Sequence, residues 1–384
     1  MTDIYLIRHA EADGNIYRRA HGHYDGYITD NGYKQIEALR ARFANVHIDR
    51  VYASDLFRTQ ATAKAIYEGR GIPFDTRPAL REICLGKWED LPWGELIDKY
   101  PDEYDIWVNH PSQFTIKGGE THAVLFARMK ACLDEIVCEN PGKTVAVVSH
   151  GVAIRALLCG LIYSDLSRVT DICWCDNTAV AHIIVYDDLK YDVKFFNDNS
   201  HLASLSTLEK QRWWRNGDDG RAYNVYFENA ALPRDALKCD EYYGRAWVEI
   251  FGDLDYDKKT CRAHIRRLAS HHTAAIAFAR LAGTEIGAIM LDVRAKLFPD
   301  GGHISLLYLN EEYRNRGFGA QLLGHAVSIY RALGRKYLTV RVAATNAHAI
   351  AFYKKHGFLE FARESDADVH QILMRKQIYF EIRN

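Results

Sequence analysis

The chain has 384 residues, of which 48% are hydrophobic and 26% charged, a balance that excludes a disordered chain and a collagen-like one. Its 49 basic and 50 acidic residues leave a formal charge of −1, so the whole molecule advertises neither nucleic acid nor an anionic membrane as a partner. That sum conceals an asymmetry, 22 basic against 29 acidic residues up to position 205 and 27 against 21 beyond it, and the length itself implies two domains or three.

The opening MTDIYLIRHA carries Asp3 and Arg8 where a targeting segment needs an apolar stretch. The most apolar long window, 144–163, contains His150 and Arg155 and no run of about 20 apolar residues. A soluble cytoplasmic protein is expected. The eight cysteines form no CxxC pair and mostly sit in apolar surroundings, so buried reduced thiols are expected. Cys173 and Cys175 would share one face of a strand but bring no further ligands, and no metal is expected there.

Along the chain, short β-rich runs alternate with helical spacing up to about residue 205. DIYLIRH, RVYAS, KTVAVVSH and AVAHIIVY read as strands; NGYKQIEALRARF, FRTQATAKAIYEG, ETHAVLFARMKACLDEIV and GVAIRALLCGL read as helices. That alternation implies a largely parallel sheet covered on both faces. A linker helix and hinge are expected over 206–221, with Trp213 and Trp214 packing the linker helix and the Asn-Gly-Asp-Asp-Gly run at 216–220 as the boundary. Beyond it come YNVYFENAAL, helices over 235–251 and 257–269, a hairpin turning near Gly283-Thr284, the strand HISLLYL, a glycine turn with a helix, YLTVRVA, another helix and two last strands. The domains are thus expected at 1–205 and 222–384.

Two places carry chemistry. Arg8 and His9 close the first strand and His150 closes VAVVSH, followed by Gly151; strand ends are where an open α/β sheet presents reactive groups. Arg58 opens the helix after SDLF. Two guanidinium forks match the oxygens of a phosphoryl group, and an imidazole can attack phosphorus. In the second half, Arg314-Asn315-Arg316-Gly317-Phe318-Gly319-Ala320 lies between a strand and a helix, where helix-start amides can hold a diphosphate. The spacing fits neither a dinucleotide-binding fingerprint nor a P-loop.

The string Arg8-His9-Ala10-Glu11-Ala12-Asp13-Gly14-Asn15, followed in order by Thr29 to Gln35, Ser54 to Ala63, Leu80-Arg81-Glu82, Gly118-Gly119-Glu120, Ser149-His150-Gly151 and Asn177-Thr178, resembles the histidine phosphatase (phosphoglycerate mutase-like) superfamily. The resemblance implies a three-layer α/β/α domain in which His9 is phosphorylated. Arg8, Arg58, His150, Asn15 and Gly151 would form the phosphate pocket, Glu82 would protonate the leaving oxygen, and no metal would take part. LREICLGKWED looks like the phosphatase branch and not the mutase branch, so a small-molecule phosphomonoester is the expected substrate. Ala10 departs from the usual glycine and His21-Gly22 from the usual Gln-Gly. His21 and His23 are read as part of a flexible entrance loop and not as a metal pair.

The second half resembles the GNAT acetyltransferase superfamily in two places: Arg314, Gly317 and Gly319, and Asn346-Ala347-His348-Ala349-Ile350-Ala351-Phe352-Tyr353-Lys354-Lys355-His356-Gly357-Phe358. This implies an α/β domain with a mixed central sheet, acetyl-CoA as co-substrate and a small-molecule amine as acceptor. Cofactor contacts would come from Leu307, Leu309, residues 314–320, Asn346 and Tyr353, with Tyr353 as general acid for the thiolate. Glu285, Asp292 and Glu311 are unranked candidates for the base. A CoA-binding regulatory role for this domain, and a mutase reading of the first, stand as alternatives; oligomeric state is unread.

Overall fold

The computed structural model describes residues 1–211, 220–252, 256–295, 297–366 and 369–379. Most of the expected linker, including Trp213, Trp214 and all of the 216–220 run except Gly220, lies outside the described residues. Of the expected linker helix, Thr207–Lys210 is described as helix, and its Ser206 cap accepts from Glu209 N at 3.0 Å. The chain divides into two compact units. The first takes in Met1–Asn15, Arg19–Leu91 and the chain from Leu96 on to residue 211; the second takes in Ile16–Arg18, Pro92–Glu95 and the chain from residue 220.

Among the described residues the first unit has a six-stranded sheet: β1 (Thr2–Arg8), β2 (Arg50–Ala53), β3 (Phe74–Thr76), β4 (Thr144–Ser149), β5 (Val180–Val185) and β6 (Tyr191–Asp198), ordered β3-β2-β4-β1-β5-β6. Val145, Ala146, Val147 and Val148 of β4 are all fully buried, as a central parallel strand covered on both faces requires. On one face Ile7, Val51, Ala53, Ala146 and Val148 pack against Ile36, Leu39 and Phe43 of helix Asp30–Phe43 and Ala63 and Ile66 of helix Phe57–Tyr67. Helix Gly151–Tyr163 packs against helix His122–Glu139 and β1. The layers are α/β/α.

The sheet is less parallel than the sequence pattern implies. The β3-β2-β4-β1 run is parallel, but β5 pairs antiparallel with β1, and β6 with β5. Periodicity also misses β3, which has three residues, and β6, an edge strand with no buried side chain; an element with nothing to bury leaves no alternating pattern. Cys173 and Cys175 are not on a strand, and Cys173 is exposed while Cys175 is buried. Cys138 is exposed too. These two thiols depart from the expected burial.

The second unit has, among the described residues, a seven-stranded sheet: β7 (Val225–Asn229), β8 (Ile276–Leu281), β9 (Thr284–Asp292), β10 (Gly301–Leu309), β11 (Tyr337–Ala343), β12 (Leu359–Asp366) and β13 (Val369–Gln377), ordered β12-β13-β11-β10-β9-β8-β7. Alternation along β8 sends Ile276 and Phe278 to a core with helices Ala236–Phe251 and Lys258–His271, and Ala277 and Ala279 to a core with helix Phe318–Ala332. That is the period of two expected of a sheet covered on both sides. The β8–β9 hairpin turns at Ala282 and Gly283, with φ +49° and +82°. Positive φ at both central residues gives the twist a two-residue hairpin needs.

One feature of this sheet positions chemistry. β10 and β11 are its parallel pair, and their pairing runs only from Gly301↔Tyr337 to Ile304↔Val340. β10 continues to Leu309 on β9, past a bulge between Ile304 and Leu306, while β11 continues to Ala343 on β13. The two strands therefore diverge, leaving a split that begins at Ser305.

Candidate active sites

Because β1 and β4 are parallel and in register through Arg8↔Ser149, the next residue of each, His9 and His150, leaves the sheet beside the other. Their ring centroids are 5.2 Å apart. The main chain is held there: His9 N donates to Ser149 O at 2.9 Å, Thr178 N to Arg8 O at 3.1 Å, and Asn177 Nδ2 to His9 O at 2.9 Å. His9 Nδ1 lies 2.8 Å from Ala10 O, and a carbonyl can only accept. Nδ1 therefore carries the ring proton, and Nε2 presents its lone pair. Burial, followed by the charges of Arg58 and Arg8, holds His9 well below the ordinary histidine range. Burial and Arg58 do the same to His150.

Arg58 stands in the first turn of its helix and is 1% exposed. Its Nη1 donates to Tyr24 O at 2.9 Å and Asp25 Oδ1 at 3.2 Å, and Nη2 donates to Gly22 O at 2.8 Å. Arg8 donates through Nη1 to Cys175 O at 2.6 Å and lies against Gly151, where a Cβ would stand 3.2 Å from Arg8 Nε. Three buried nitrogens then have no protein partner: Arg8 Nε, Arg58 Nε and His150 Nδ1. His150 Nε2 is 2.9 Å from Ser54 Oγ, which also accepts from Leu56 N. If Ser54 gives its own hydrogen to Nε2, the ring proton sits on Nδ1 as a further donor. Buried unpaired donors are costly without a ligand; these are what an anion would satisfy.

Glu82 is nearly buried, and its carboxylate accepts from Ile83 N (3.0 Å), Val152 N (3.0 Å) and Ala153 N (2.8 Å). Two of these three donors belong to the first turn of helix Gly151–Tyr163, which fixes the carboxylate at that helix start. Arg128 holds the segment that delivers Glu82. It donates to Ala79 O and Arg81 O (2.8 Å each) and to Glu82 O (2.7 Å) while pairing with Glu120 at 2.7 and 2.8 Å. The sequence reading missed this bracket, because an arginine 46 residues from Glu82 carries no motif. Asn15 Oδ1 accepts from Ala12 N at 2.9 Å, leaving its Nδ2 for a ligand.

The segment from His21 to Asp25 is tied down, contrary to the flexible loop expected. Glu89 accepts from His23 N (2.9 Å) and Tyr24 N (2.8 Å), and Arg58 holds Gly22 and Tyr24. His21 Nε2 faces Asp90 Oδ1 at 3.4 Å, and His23 Nε2 faces Glu82 O at 3.0 Å.

In the second unit Gly317 caps helix Phe318–Ala332 with φ +88°, and Asn315 has φ +58°. A Cβ on Gly317 would meet nothing within 4 Å, so this glycine is required by its backbone conformation, and the approach to the first-turn amides is open. Gly319 has a different reason: a Cβ there would stand 2.9 Å from the Phe352 ring. The main-chain turn thus fits a diphosphate, and the adjoining split fits an extended chain lying along Leu307 and Leu309. The side chain of Arg314 is partly committed elsewhere. Its Nε donates to Leu309 O at 2.8 Å and its Nη2 to both Glu249 oxygens at 2.8 and 3.0 Å, so these two nitrogens brace the turn. Arg316 lies over the Tyr313 and Phe318 rings, and Phe318 and Ala320 are buried in the core.

Asn346 caps helix Ala347–Lys355, accepting from Ala349 N at 2.9 Å. Tyr353 is 8% exposed, with its ring 5.2 Å from Phe352 and 5.0 Å from Phe358. Burial pushes its phenol above the usual value. Of the three base candidates, Glu285 is held by Lys238 and Tyr242 (2.8 and 3.0 Å), Asp292 is paired with Arg267 (3.0 Å), and Glu311 is exposed. At the apex of the split sits a cluster the sequence reading did not find. Ser305 Oγ is 2.7 Å from both Tyr243 OH and His264 Nε2, and Arg267 donates to His264 Nδ1 at 2.9 Å. A donor on Nδ1 places the ring proton on Nε2, directed at Ser305. Only the bulge and two helices bring these residues together.

Comparison with known proteins gives two matches within the chain. The family described as histidine phosphatase superfamily (branch 1) matches residues 4–199, and the acetyltransferase (GNAT) family matches residues 237–358. Phosphoserine phosphatase 1 of Hydrogenobacter thermophilus is 32% identical over 205 residues, 53% of this chain and 96% of that protein. A probable phosphoglycerate mutase GpmB of Yersinia pestis is 36% identical over 166 residues, 42% of this chain and 75% of that protein. Bacillus stearothermophilus YhfR has a similar structure, with a TM-score of 0.51 and 29% identity over 52% of this chain and 99% of its own.

Proposed function

Since the chain belongs to the histidine phosphatase superfamily, branch 1, and carries a GNAT acetyltransferase domain, we propose that it is a two-headed enzyme that hydrolyses a small phosphomonoester through phosphohistidine and transfers acetyl from acetyl-CoA to a small-molecule amine. The observation that carries the first half is the trio of buried unpartnered nitrogens, Arg8 Nε, Arg58 Nε and His150 Nδ1, around an imidazole whose Nε2 is unprotonated. His9 Nε2 attacks phosphorus; the P–N bond forms as the bond to the ester oxygen breaks, and Glu82 gives that oxygen its proton. Arg8, Arg58, His150 and Asn15 stabilise the charge on the equatorial oxygens. Water then attacks the phosphohistidine, Glu82 takes its proton, and phosphate leaves.

For the second half, the open glycine turn and the split between β10 and β11 support the reading. Acetyl-CoA supplies an acyl group activated as a thioester. Amides of residues 315–320 hold its diphosphate, Leu307 and Leu309 flank its extended arm, and Tyr353 keeps its proton for the thiolate. Relatives named as a phosphoserine phosphatase and as a probable phosphoglycerate mutase leave a mutase as the second reading, which a requirement for a bisphosphate primer would favour.

The test uses the full chain. His9→Ala should abolish hydrolysis of p-nitrophenyl phosphate and any acid-labile phosphoryl label on the protein; retention of full turnover would sink the nucleophile assignment. Titration with acetyl-CoA should release heat of binding, and silence there would remove the transferase reading and the regulatory one together.

A further inference from the structure

His9 stands where a strand gives way to a loop, and a loop must be held from outside if its imidazole is to stay in line with phosphorus. Glu11, two residues on, is buried, and its side chain accepts three hydrogen bonds. Oε1 accepts from Thr29 Oγ1 at 2.6 Å, and Oε2 accepts from Asn31 Nδ2 at 3.1 Å and from Thr207 Oγ1 at 2.8 Å. The main-chain N–H of Glu11 donates to Gln35 Oε1 at 2.8 Å. Gln35 Nε2 in turn donates to Leu205 O and to Thr207 Oγ1, both at 2.9 Å. A carbonyl such as Leu205 O can only accept, which fixes the Gln35 amide, and a hydroxyl that accepts from Gln35 has its one hydrogen left for Glu11. Glu11, Gln35 and Thr207 thus close a buried ring.

The same turn of chain reaches His9 by a second route. Asp176, fully buried, accepts from Ser206 Oγ, from Thr207 N at 3.2 Å and from Leu208 N at 3.3 Å, and also from Asn177 N at 2.8 Å. Asn177 Nδ2 is the donor that holds His9 O. A third contact lies at the far end of the catalytic loop, where Gln211 Nε2 donates to Asn15 O at 3.1 Å. Thr207 is 196 positions from Glu11, on the stretch by which the chain leaves the first unit. Capping of the short helix Thr207–Lys210 accounts for Ser206, which accepts from Glu209 N. It accounts neither for the Thr207 hydroxyl, on a residue 2% exposed, nor for the reach of Gln211 to Asn15.

We propose that Thr207 and Gln211 are positioning residues for phosphoryl transfer: Thr207 sets the main chain that carries His9, and Gln211 sets that of Asn15, so that the segment leading out of the phosphatase fold is part of the framework of its active site. This rests on the hydrolysis reading above and adds to it what anchors the working loop. Both residues act through that loop and take no part in the proton or phosphoryl steps.

The test uses the full chain and p-nitrophenyl phosphate. Thr207→Val removes the hydroxyl at nearly constant volume. It should lower kcat by about tenfold, less than the hundredfold that a misplacement of about 1 Å can cost, with KM changed by no more than about twofold. Thr207→Ser keeps the hydroxyl and should recover most of kcat. Gln211→Ala should act on the other quantity, raising KM and the inhibition constant for inorganic phosphate about threefold or more, the scale of one lost hydrogen bond. A merely structural Thr207 would lower the melting temperature of the valine variant and leave kcat, measured well below that midpoint, unchanged. That result overturns the inference, as does a serine variant as slow as the valine one. Unchanged KM and phosphate inhibition in Gln211→Ala overturn it too, and serve alone if the valine variant does not fold. A wild-type chain that leaves p-nitrophenyl phosphate intact overturns the hydrolysis reading instead.

Discussion

Two imidazoles 5.2 Å apart, buried beside Arg8 and Arg58, share a pocket in which a further positive charge is expensive. Both are therefore held neutral well below the ordinary histidine value, and this has a thermodynamic consequence. The unfolded chain binds protons at these positions as pH falls through about 6.5, while the folded chain does not, so stability is present above that pH and is lost below it. Each such histidine contributes a slope of about 1.4 kcal/mol per pH unit until its folded pKa is reached. Other histidines, such as the buried His122 and the half-buried His201, each lowered to about 4, add to the total, so the useful measurement is a difference. Urea unfolding of His9→Asn between pH 6 and pH 5 should show a slope shallower than that of the wild type by about that amount; equal slopes would mean that His9 titrates normally in the folded protein. At the same scale, Arg314 shows how a motif residue can match a family pattern and still have its side chain committed, here to Glu249 and Leu309 O.

At the scale of elements, the first site depends on two strand ends and on one bracket. The in-register pairing of β1 with β4 brings His9 beside His150. Glu82 arrives by another route, on an irregular segment whose carbonyls are gathered by Arg128. Replacing Arg128 by Met would strand the half-buried Glu120 carboxylate and free three carbonyls. Breaking a buried pair from one side costs about 3–5 kcal/mol, so denaturant unfolding should show a loss approaching that size. Turnover of p-nitrophenyl phosphate should fall while labelling of His9 persists, since the acid is displaced and the nucleophile is not. An unchanged midpoint and an unchanged rate would show that the bracket is ornamental. In the second unit the comparable element is β10, whose bulge at Ser305 ends its pairing with β11 and opens the split.

For the whole molecule, length alone implied two domains or three, and the structure shows two compact units, each with its own sheet. The division is not a simple cut in the chain, because Ile16–Arg18 and Pro92–Glu95 belong with the second unit; Tyr17, for example, lies in that unit's core beside Val225 and Leu323. The charge asymmetry, acidic before residue 205 and basic after it, means that the first unit must draw an anion by local guanidinium groups and not by its net field. The residues by themselves determined both families, the strand-end histidines, Arg8, Arg58 and Glu82, and the glycine turn, because those features are local: a chemical type next to a strand end or a helix start. The antiparallel run of β5 and β6, the bracket on Glu82, the commitment of Arg314 and the cluster at Ser305 were decided only by the tertiary structure. Each depends on partners tens of residues apart in the chain.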